Sequence, residues 1–255
     1  MHPGLAVVAV LAGMAAMFAG LMVVRGPGLR TALAVGELCL ITPGLLIVAL
    51  SGVPIFDGLG LRRAPGRTLV LAALGGGALW AASLGLMNVQ FAVWRPPAAF
   101  LDSFRALHQQ LRPRSLEEAV LSVAAIAIMP ALCEETLFRG IVLPSLARMG
   151  SLAALLGSSA LFALIHIDAV STGPVFYRLP FAFAVGLGLG TLRLLTGSLV
   201  PSMVAHAVLN TITFGTVFLS GAASDAVEEP QVVSGLLLLA GGTAATAWLF
   251  RSLRR

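Results

Sequence analysis

The chain has 255 residues, of which 58% are hydrophobic and only 11% are charged, and its mean hydropathy is +0.97. Because a soluble globular chain carries about 25% charged residues, this composition excludes a soluble domain and predicts an integral membrane protein. The net charge is +5, but the arginines stand in the breaks between apolar runs, which is typical of membrane flanks rather than of a nucleic-acid-binding arm. We therefore expect a lipid bilayer, and no nucleic acid, among the partners.

Eight apolar segments are candidate spans, since a transmembrane helix needs about 20 mostly apolar residues. The fifth is short and the start of the sixth is ill-defined, so seven spans are an alternative. No linker divides the chain, which predicts an all-α, polytopic transmembrane helical bundle in a single membrane domain, residues 1–255. In chain order the segments are Gly4–Val24, Thr31–Val53, Thr68–Gln90, Glu118–Leu143, Ser151–Ile167, Tyr177–Leu195, Pro201–Ser220 and Val232–Phe250.

The arginines predict an orientation. With eight spans, the loop that contains Arg62, Arg63 and Arg67 lies on the same side as the three arginines of residues 251–255. The positive-inside rule makes that side cytoplasmic, so we expect a cytoplasmic C-terminus. The loop at residues 91–115 carries four further arginines and argues against this orientation.

Three local patterns indicate how the bundle is built. The sequence Ser115-Leu116-Glu117-Glu118 has the form of a capping box, so the fourth helix should begin there. Residues 101–111 predict a short interfacial helix in the preceding loop. Ala182, Gly186 and Gly190 recur every four residues, which predicts close packing against a neighbouring helix.

Ionisable residues within a span cost about 2.5–3.5 kcal/mol each and therefore point to function. Outside the loops they form three clusters, each late in the chain. In the first, Glu135 and Arg139 are four residues apart and should pair on one helix face. Glu134 is rotated by about 100° from Glu135 and needs another partner. Pro130, one turn earlier, is expected to kink the helix.

The other two clusters place polar side chains at helical spacing. Phe162 and His166 share one face of the fifth predicted helix, and His206 and Asn210 share one face of the seventh. Since lipid cannot satisfy such groups, they should face a cavity inside the protein. Each cluster alone has an ordinary explanation: a helix end at the headgroups, a packing histidine, or interhelical hydrogen bonds.

Together, the three clusters suit water-assisted acyl chemistry. A carboxylate can accept a proton from water as a general base. A histidine can orient that water and later donate a proton to the leaving amine, and Asn and His can donate hydrogen bonds to a developing oxyanion.

The patterns Glu134-Glu135-x-x-x-Arg139, Phe162-x-x-x-His166 and His206-x-x-x-Asn210 resemble, in order and spacing, those of the CPBP family. This family comprises the CAAX-processing and bacteriocin-processing membrane proteases, also called Abi or type II CAAX endopeptidases. The resemblance covers residues 115–219, which we take as the catalytic core. Residues 1–90 look like the variable N-terminal spans of such proteins.

The resemblance implies an intramembrane endopeptidase that cleaves a membrane-associated protein or peptide. Glu134 would be the catalytic glutamate, His166 its partner in activating water, and His206 and Asn210 the pair that stabilises the oxyanion. Glu135, Arg139 and Phe162 would have supporting roles. The resemblance to bacterial members implies a bacterial cytoplasmic (inner) membrane; the sequence indicates no oligomeric state and does not identify the substrate.

We expect catalysis without a metal or other cofactor, because the candidate ligands lie on three separate helices and lack the HExxH spacing. The alternative is a zinc site formed by Glu134, His166 and His206. The sequence offers no second-shell carboxylate for His206, and only Asp168 for His166.

Three other functions remain open. A proton- or ion-coupled transporter would use the buried Glu and His as a relay, but it predicts repeated halves or broken helices, which the sequence lacks. A non-catalytic scaffold would keep the family fold without the chemistry. A cysteine protease would use Cys133, which stands next to Glu134.

Overall fold

The computed structural model describes residues 2–24, 28–52, 54–170, 173–216 and 230–254. Almost all of this part of the chain is helical. The helices are α1 Pro3–Val23, α2 Leu29–Leu50, α3 Ile55–Leu59, α4 Gly66–Val93, α5 Ala98–Leu111, α6 Leu116–Met149, α7 Ser151–Leu164, α8 Leu179–Thr196, α9 Val200–Phe214 and α10 Val232–Ser252. Between α7 and α8, the strands β1 Asp168–Val170 and β2 Gly173–Val175 form an antiparallel hairpin.

Every predicted span corresponds to a helix, so the helical membrane bundle is confirmed. Among the described residues, six helices are long and apolar enough to cross a membrane, namely α1, α2, α4, α6, α8 and α10. The apolar helices α7 and α9 have only 14 and 15 residues, which is short for a bilayer of ordinary thickness. Residues 217–220 of the seventh predicted span lie outside the described part of the chain.

The outer surface of the bundle is apolar. Leu50 is 87% exposed and Leu237 is 71% exposed. Many other large apolar side chains on α1, α2, α4 and α10 are exposed as well. A soluble monomer rarely carries contiguous apolar surface on this scale, whereas lipid tails cover it at no cost. The chain is therefore a multi-pass integral membrane protein.

The capping prediction is confirmed, and a short helix precedes α6 as predicted; its interfacial position stays a prediction. The Oγ of Ser115 accepts a hydrogen bond from the backbone N–H of Glu118 at 3.1 Å, and α6 begins at the next residue. The carboxylate of Glu118 accepts the backbone N–H of Arg114, one residue before the expected partner. Helix α5 begins three residues earlier than predicted and buries Phe100 and Leu111.

The long helix α6 departs from regular α geometry twice. Residues Ala124–Ile128 and Thr136–Val142 are π-helical, and Met129–Glu135 between them is α-helical. Pro130 lies just after the first π segment and has no N–H to donate, which explains why the regular hydrogen-bond ladder breaks there. The two π segments therefore enclose the short stretch that contains Glu134 and Glu135.

Small residues let the helices around this stretch approach closely. A Cβ added at Gly186 would lie 3.0 Å from the Cβ of Ser159, and one at Gly190 would lie 2.6 Å from Leu155. The predicted small-residue stripe on α8 therefore packs against α7. The approach leaves the carbonyl of Gly186 within reach of α6.

A turn after α3 packs against the second half of α6. Gly60 adopts φ = 70°, a left-handed conformation that glycine accepts without strain. Its carbonyl accepts the backbone N–H of Leu199 at 2.9 Å, and Leu59 is buried against Gly140. This turn holds the start of α9 beside α6, and so sets the position of the polar residues on both helices.

Candidate functional site

A cavity of about 400 Å³ lies between the helices. Its walls come from α1, α2, α6, α8 and α9 and from the end of α7. The four residues for which the sequence suggested catalytic roles all line it: Glu134, His166, His206 and Asn210. Phe162 lines it as well. Residues far apart in the sequence are thus brought to one polar face of an otherwise apolar interior.

Glu134 lines this cavity, and its carboxylate has no close hydrogen-bond partner among the described residues. Its side chain is only 9% exposed, and Oε2 is buried with no hydrogen-bond partner among the described residues. Nε2 of His206 lies 3.8 Å from this oxygen. That separation is too long for a direct hydrogen bond, so the two groups are placed to share a water or a substrate atom.

Glu135 lies next to it on α6 but points into protein rather than into the cavity. Its Oε1 accepts a hydrogen bond from Nη1 of Arg139 at 2.8 Å, and both side chains are completely buried. The predicted i, i+4 pair is therefore confirmed. A buried ion pair needs further hydrogen bonds to offset the loss of hydration.

Arg139 makes two further contacts that tie three helices together. Its Nη2 donates to the carbonyl of Gly186 on α8 at 3.0 Å. Its guanidinium carbon lies 4.5 Å from the centre of the Phe162 ring on α7, a cation–π contact. The close approach of α7 and α8 at Gly186 makes both contacts possible.

His206 completes this network from α9. Its Nδ1 lies 3.0 Å from the same Oε1 of Glu135 that accepts from Arg139. Since Glu135 pairs with a cation and can only accept, Nδ1 carries a proton, and Nε2 is left facing Glu134. The expectation that His206 lacks a supporting carboxylate is therefore wrong: Glu135 serves both Arg139 and His206, because α9 approaches the back of α6.

His166 lies just beyond the end of α7. Its Nδ1 donates to the carbonyl oxygen of Phe162 at 2.9 Å, which fixes the tautomer and leaves Nε2 as an acceptor when the ring is neutral. The rings of Phe162 and His166 are 4.7 Å apart, and those of Phe162 and His206 are 6.0 Å apart. Phe162 thus contacts both histidine rings, and its carbonyl fixes the orientation of His166.

Asn210 is half-buried one turn after His206 and lines the same cavity. Asp168, suggested as a partner for His166, begins β1, but its side chain lies outside the described part of the structure.

Glu37 was missed by the sequence analysis, which placed every functional ionisable residue late in the chain. It lies on α2 and lines the cavity, and its Oε2 is buried without a hydrogen-bond partner among the described residues. The signal was present: α2 is a 22-residue apolar helix, and Glu37 is a lone carboxyl near its middle. Because residues 1–90 were taken as variable spans, Glu37 was not considered as a site residue.

Cys133 is buried but does not line the cavity. On a helix, a residue next to Glu134 is turned by about 100° away from it. Its thiol is therefore poorly placed to attack a substrate that occupies the cavity.

A zinc site would need three protein ligands around one ion. In the described part of the chain, no three His, Cys, Asp or Glu side chains are grouped so that they could hold a metal ion. The residues present do not fit a three-ligand site in this arrangement, and we derive no step through a metal. Metal independence stays a prediction.

Residues 116–212 match the family model described as type II CAAX prenyl endopeptidase Rce1-like. The match begins at the first residue of α6 and contains Glu134, His166, His206 and Asn210. No curated protein and no solved structure matches the chain. Over this segment, the chain is similar to the type II CAAX prenyl endopeptidases.

Proposed function

We propose that the protein hydrolyses a peptide bond of a membrane-associated protein or peptide, with Glu134 as the general base. The observation that carries the proposal is the buried Oε2 of Glu134, which has no hydrogen-bond partner among the described residues and lies 3.8 Å from Nε2 of His206, beside a cavity between membrane helices. The match to a family of endopeptidases over residues 116–212 supports the reaction type.

In the first step, Glu134 and His166 hold a water molecule in the cavity. The carboxylate of Glu134 accepts a proton from this water while its oxygen attacks the scissile carbonyl carbon. Nε2 of His166 can accept a hydrogen bond from the same water, because Nδ1 is occupied by the carbonyl of Phe162. The carbonyl oxygen then becomes an oxyanion.

The oxyanion is stabilised from α9. Asn210 can donate through its amide, and His206 can donate through Nε2 when its ring is doubly protonated. Once Glu134 has taken the proton from water, the charges of Glu135, Arg139, doubly protonated His206 and the oxyanion sum to zero. Glu135 is therefore a positioning residue, which holds His206 and balances its charge.

In the last step the carbon–nitrogen bond breaks and the leaving amine takes a proton, with Glu134 as the donor of the one it accepted. The products are a new carboxyl terminus and a new amino terminus, and Glu134 returns to its ionised form. No covalent bond to the protein is formed.

The main rival is a transporter that uses the same carboxylates as a proton relay. The rigid network of Glu135, Arg139 and His206 favours hydrolysis, because a relay needs groups that exchange partners, whereas this network fixes one histidine in one orientation. We further propose a bacterial cytoplasmic membrane, as the resemblance implies, and a cytoplasmic C-terminus, as the arginine distribution predicts.

The proposal is tested by comparing protein termini in membranes from cells that express the wild-type chain or Glu134→Gln. We expect at least one pair of new termini, adjacent in one membrane protein, with the wild type only. Identical sets of termini from the two strains would contradict the proposed function. Glu117→Gln, an exposed carboxyl on the same helix, is the control and should give the wild-type set.

A further inference from the structure

Glu37 stands apart from the network described above. The wall of the cavity that α1 and α2 form is lined by Met17, Leu33, Leu40 and Glu37. Glu37 is the only polar member of that set. A substrate in the cavity would lie between this wall and the wall that carries Glu134 and His206.

An ionised carboxylate in such a place needs a partner. Transfer of an unpaired charge into an apolar environment is so costly that the group is neutralised instead. Glu37 forms no ion pair among the described residues, and its Oε2 is buried without a hydrogen-bond partner there. These observations favour the protonated form.

The charged groups around Glu37 do not favour its ionised form. The titratable and charged side chains that line the cavity or lie beside it are Cys133, Glu134, His166, Arg178 and His206. Two carboxyls that face one cavity of low polarity do not both ionise. Glu134 lies 3.8 Å from Nε2 of His206, whereas Glu37 has no such neighbour among the described residues, so Glu37 is the one that stays protonated. His206 is already bound to Glu135, and Arg178 forms no ion pair with Glu37, so neither of them neutralises Glu37.

We infer that Glu37 is a neutral carboxylic acid that positions the substrate by donating one hydrogen bond from the α2 wall to a peptide carbonyl. This inference rests on the proposed function. A protonated carboxyl offers one O–H donor, and an extended peptide presents a carbonyl acceptor at every residue. The substrate class is therefore a peptide that crosses the cavity in extended form, held on one side by Glu37.

The protonation state can be measured without any substrate. The purified protein in phosphatidylcholine vesicles at neutral pH should show the infrared carbonyl band of a protonated carboxyl. Glu37→Gln should lack that band, whereas the exposed control Glu117→Gln should keep it. A wild-type protein without the band, or a Glu37→Gln protein that retains it unchanged, would overturn the inference.

The positioning role is tested with the protein substrate whose cleavage depends on Glu134. Gln keeps an N–H donor, so Glu37→Gln should stay within about threefold of wild-type kcat/KM. Leu has a similar volume but no donor, so Glu37→Leu should lose about tenfold, mostly through KM.

Two outcomes would refute the positioning role. Equal losses in both variants would mean that an ionised carboxylate is needed, and wild-type activity in Glu37→Leu would mean that no hydrogen bond is made. The melting temperature of both variants checks folding. Because the infrared result does not depend on activity, an inactive wild-type protein would refute the proposed function without deciding the state of Glu37.

Discussion

Nδ1 of His206 lies 3.0 Å from Oε1 of Glu135, the same oxygen that receives the hydrogen bond of Arg139. The two adjacent glutamates therefore point in different directions and have different roles. Glu135 points into protein and holds a histidine and an arginine through Oε1, while Glu134 lines the cavity.

Loss of Arg139 should destabilise the protein strongly. Arg139→Ala leaves Glu135 as a buried charge without its cation, a change that costs about 3–5 kcal/mol. The matched control is Arg105→Ala, since Arg105 pairs with Asp102 at 2.6 Å but both side chains are partly exposed. An exposed pair contributes about 0–1 kcal/mol. Thermal melting in detergent measures both, and equal shifts would contradict the structural role of Arg139.

Glu135→Gln should affect stability and catalysis together. The amide cannot balance Arg139, and it holds His206 more weakly than a carboxylate does. We expect a lower melting temperature and, per folded molecule, a fall in kcat because His206 is no longer fixed. A variant that is destabilised but fully active per folded molecule would show that Glu135 does not act through His206.

Asn210→Ala should reduce kcat while leaving KM almost unchanged. Removal of one oxyanion donor costs about 10²–10³ in kcat, because that hydrogen bond is made mainly in the transition state. Steady-state kinetics separate the two constants. A rise in KM alone would place Asn210 in substrate binding instead.

Much of this arrangement follows from sequence, and the remainder depends on contacts between helices. The spacing of Glu135 and Arg139 predicted their pair, since positions four apart meet on any helix. No spacing within one helix could show that His206 also reaches Glu135, because that contact depends on how α9 packs against α6. The π segments around Glu134 were not predicted from the sequence either, although Pro130 indicated an irregular helix at this position.

The metal-free prediction is tested by removing metal. Purified protein should keep its activity after exhaustive chelation, and elemental analysis should find less than one zinc per chain. Stoichiometric zinc, with activity lost on its removal and restored on its return, would contradict the prediction.

Cys133→Ala should leave kcat/KM within about twofold of the wild type, because the thiol does not line the cavity and its role is packing. The same assay with a thiol-alkylating reagent gives an independent check. A loss of activity of 100-fold or more in the folded variant would support a cysteine nucleophile.

The most direct measurement is turnover per folded molecule of purified Glu134→Gln in lipid vesicles, beside the wild type and Glu117→Gln. Gln preserves the volume of Glu134 but cannot accept a proton from water. We predict that Glu117→Gln matches the wild type, and that Glu134→Gln keeps the wild-type melting temperature and forms no detectable product. Near-normal turnover by folded Glu134→Gln would contradict the assignment of Glu134 as the base.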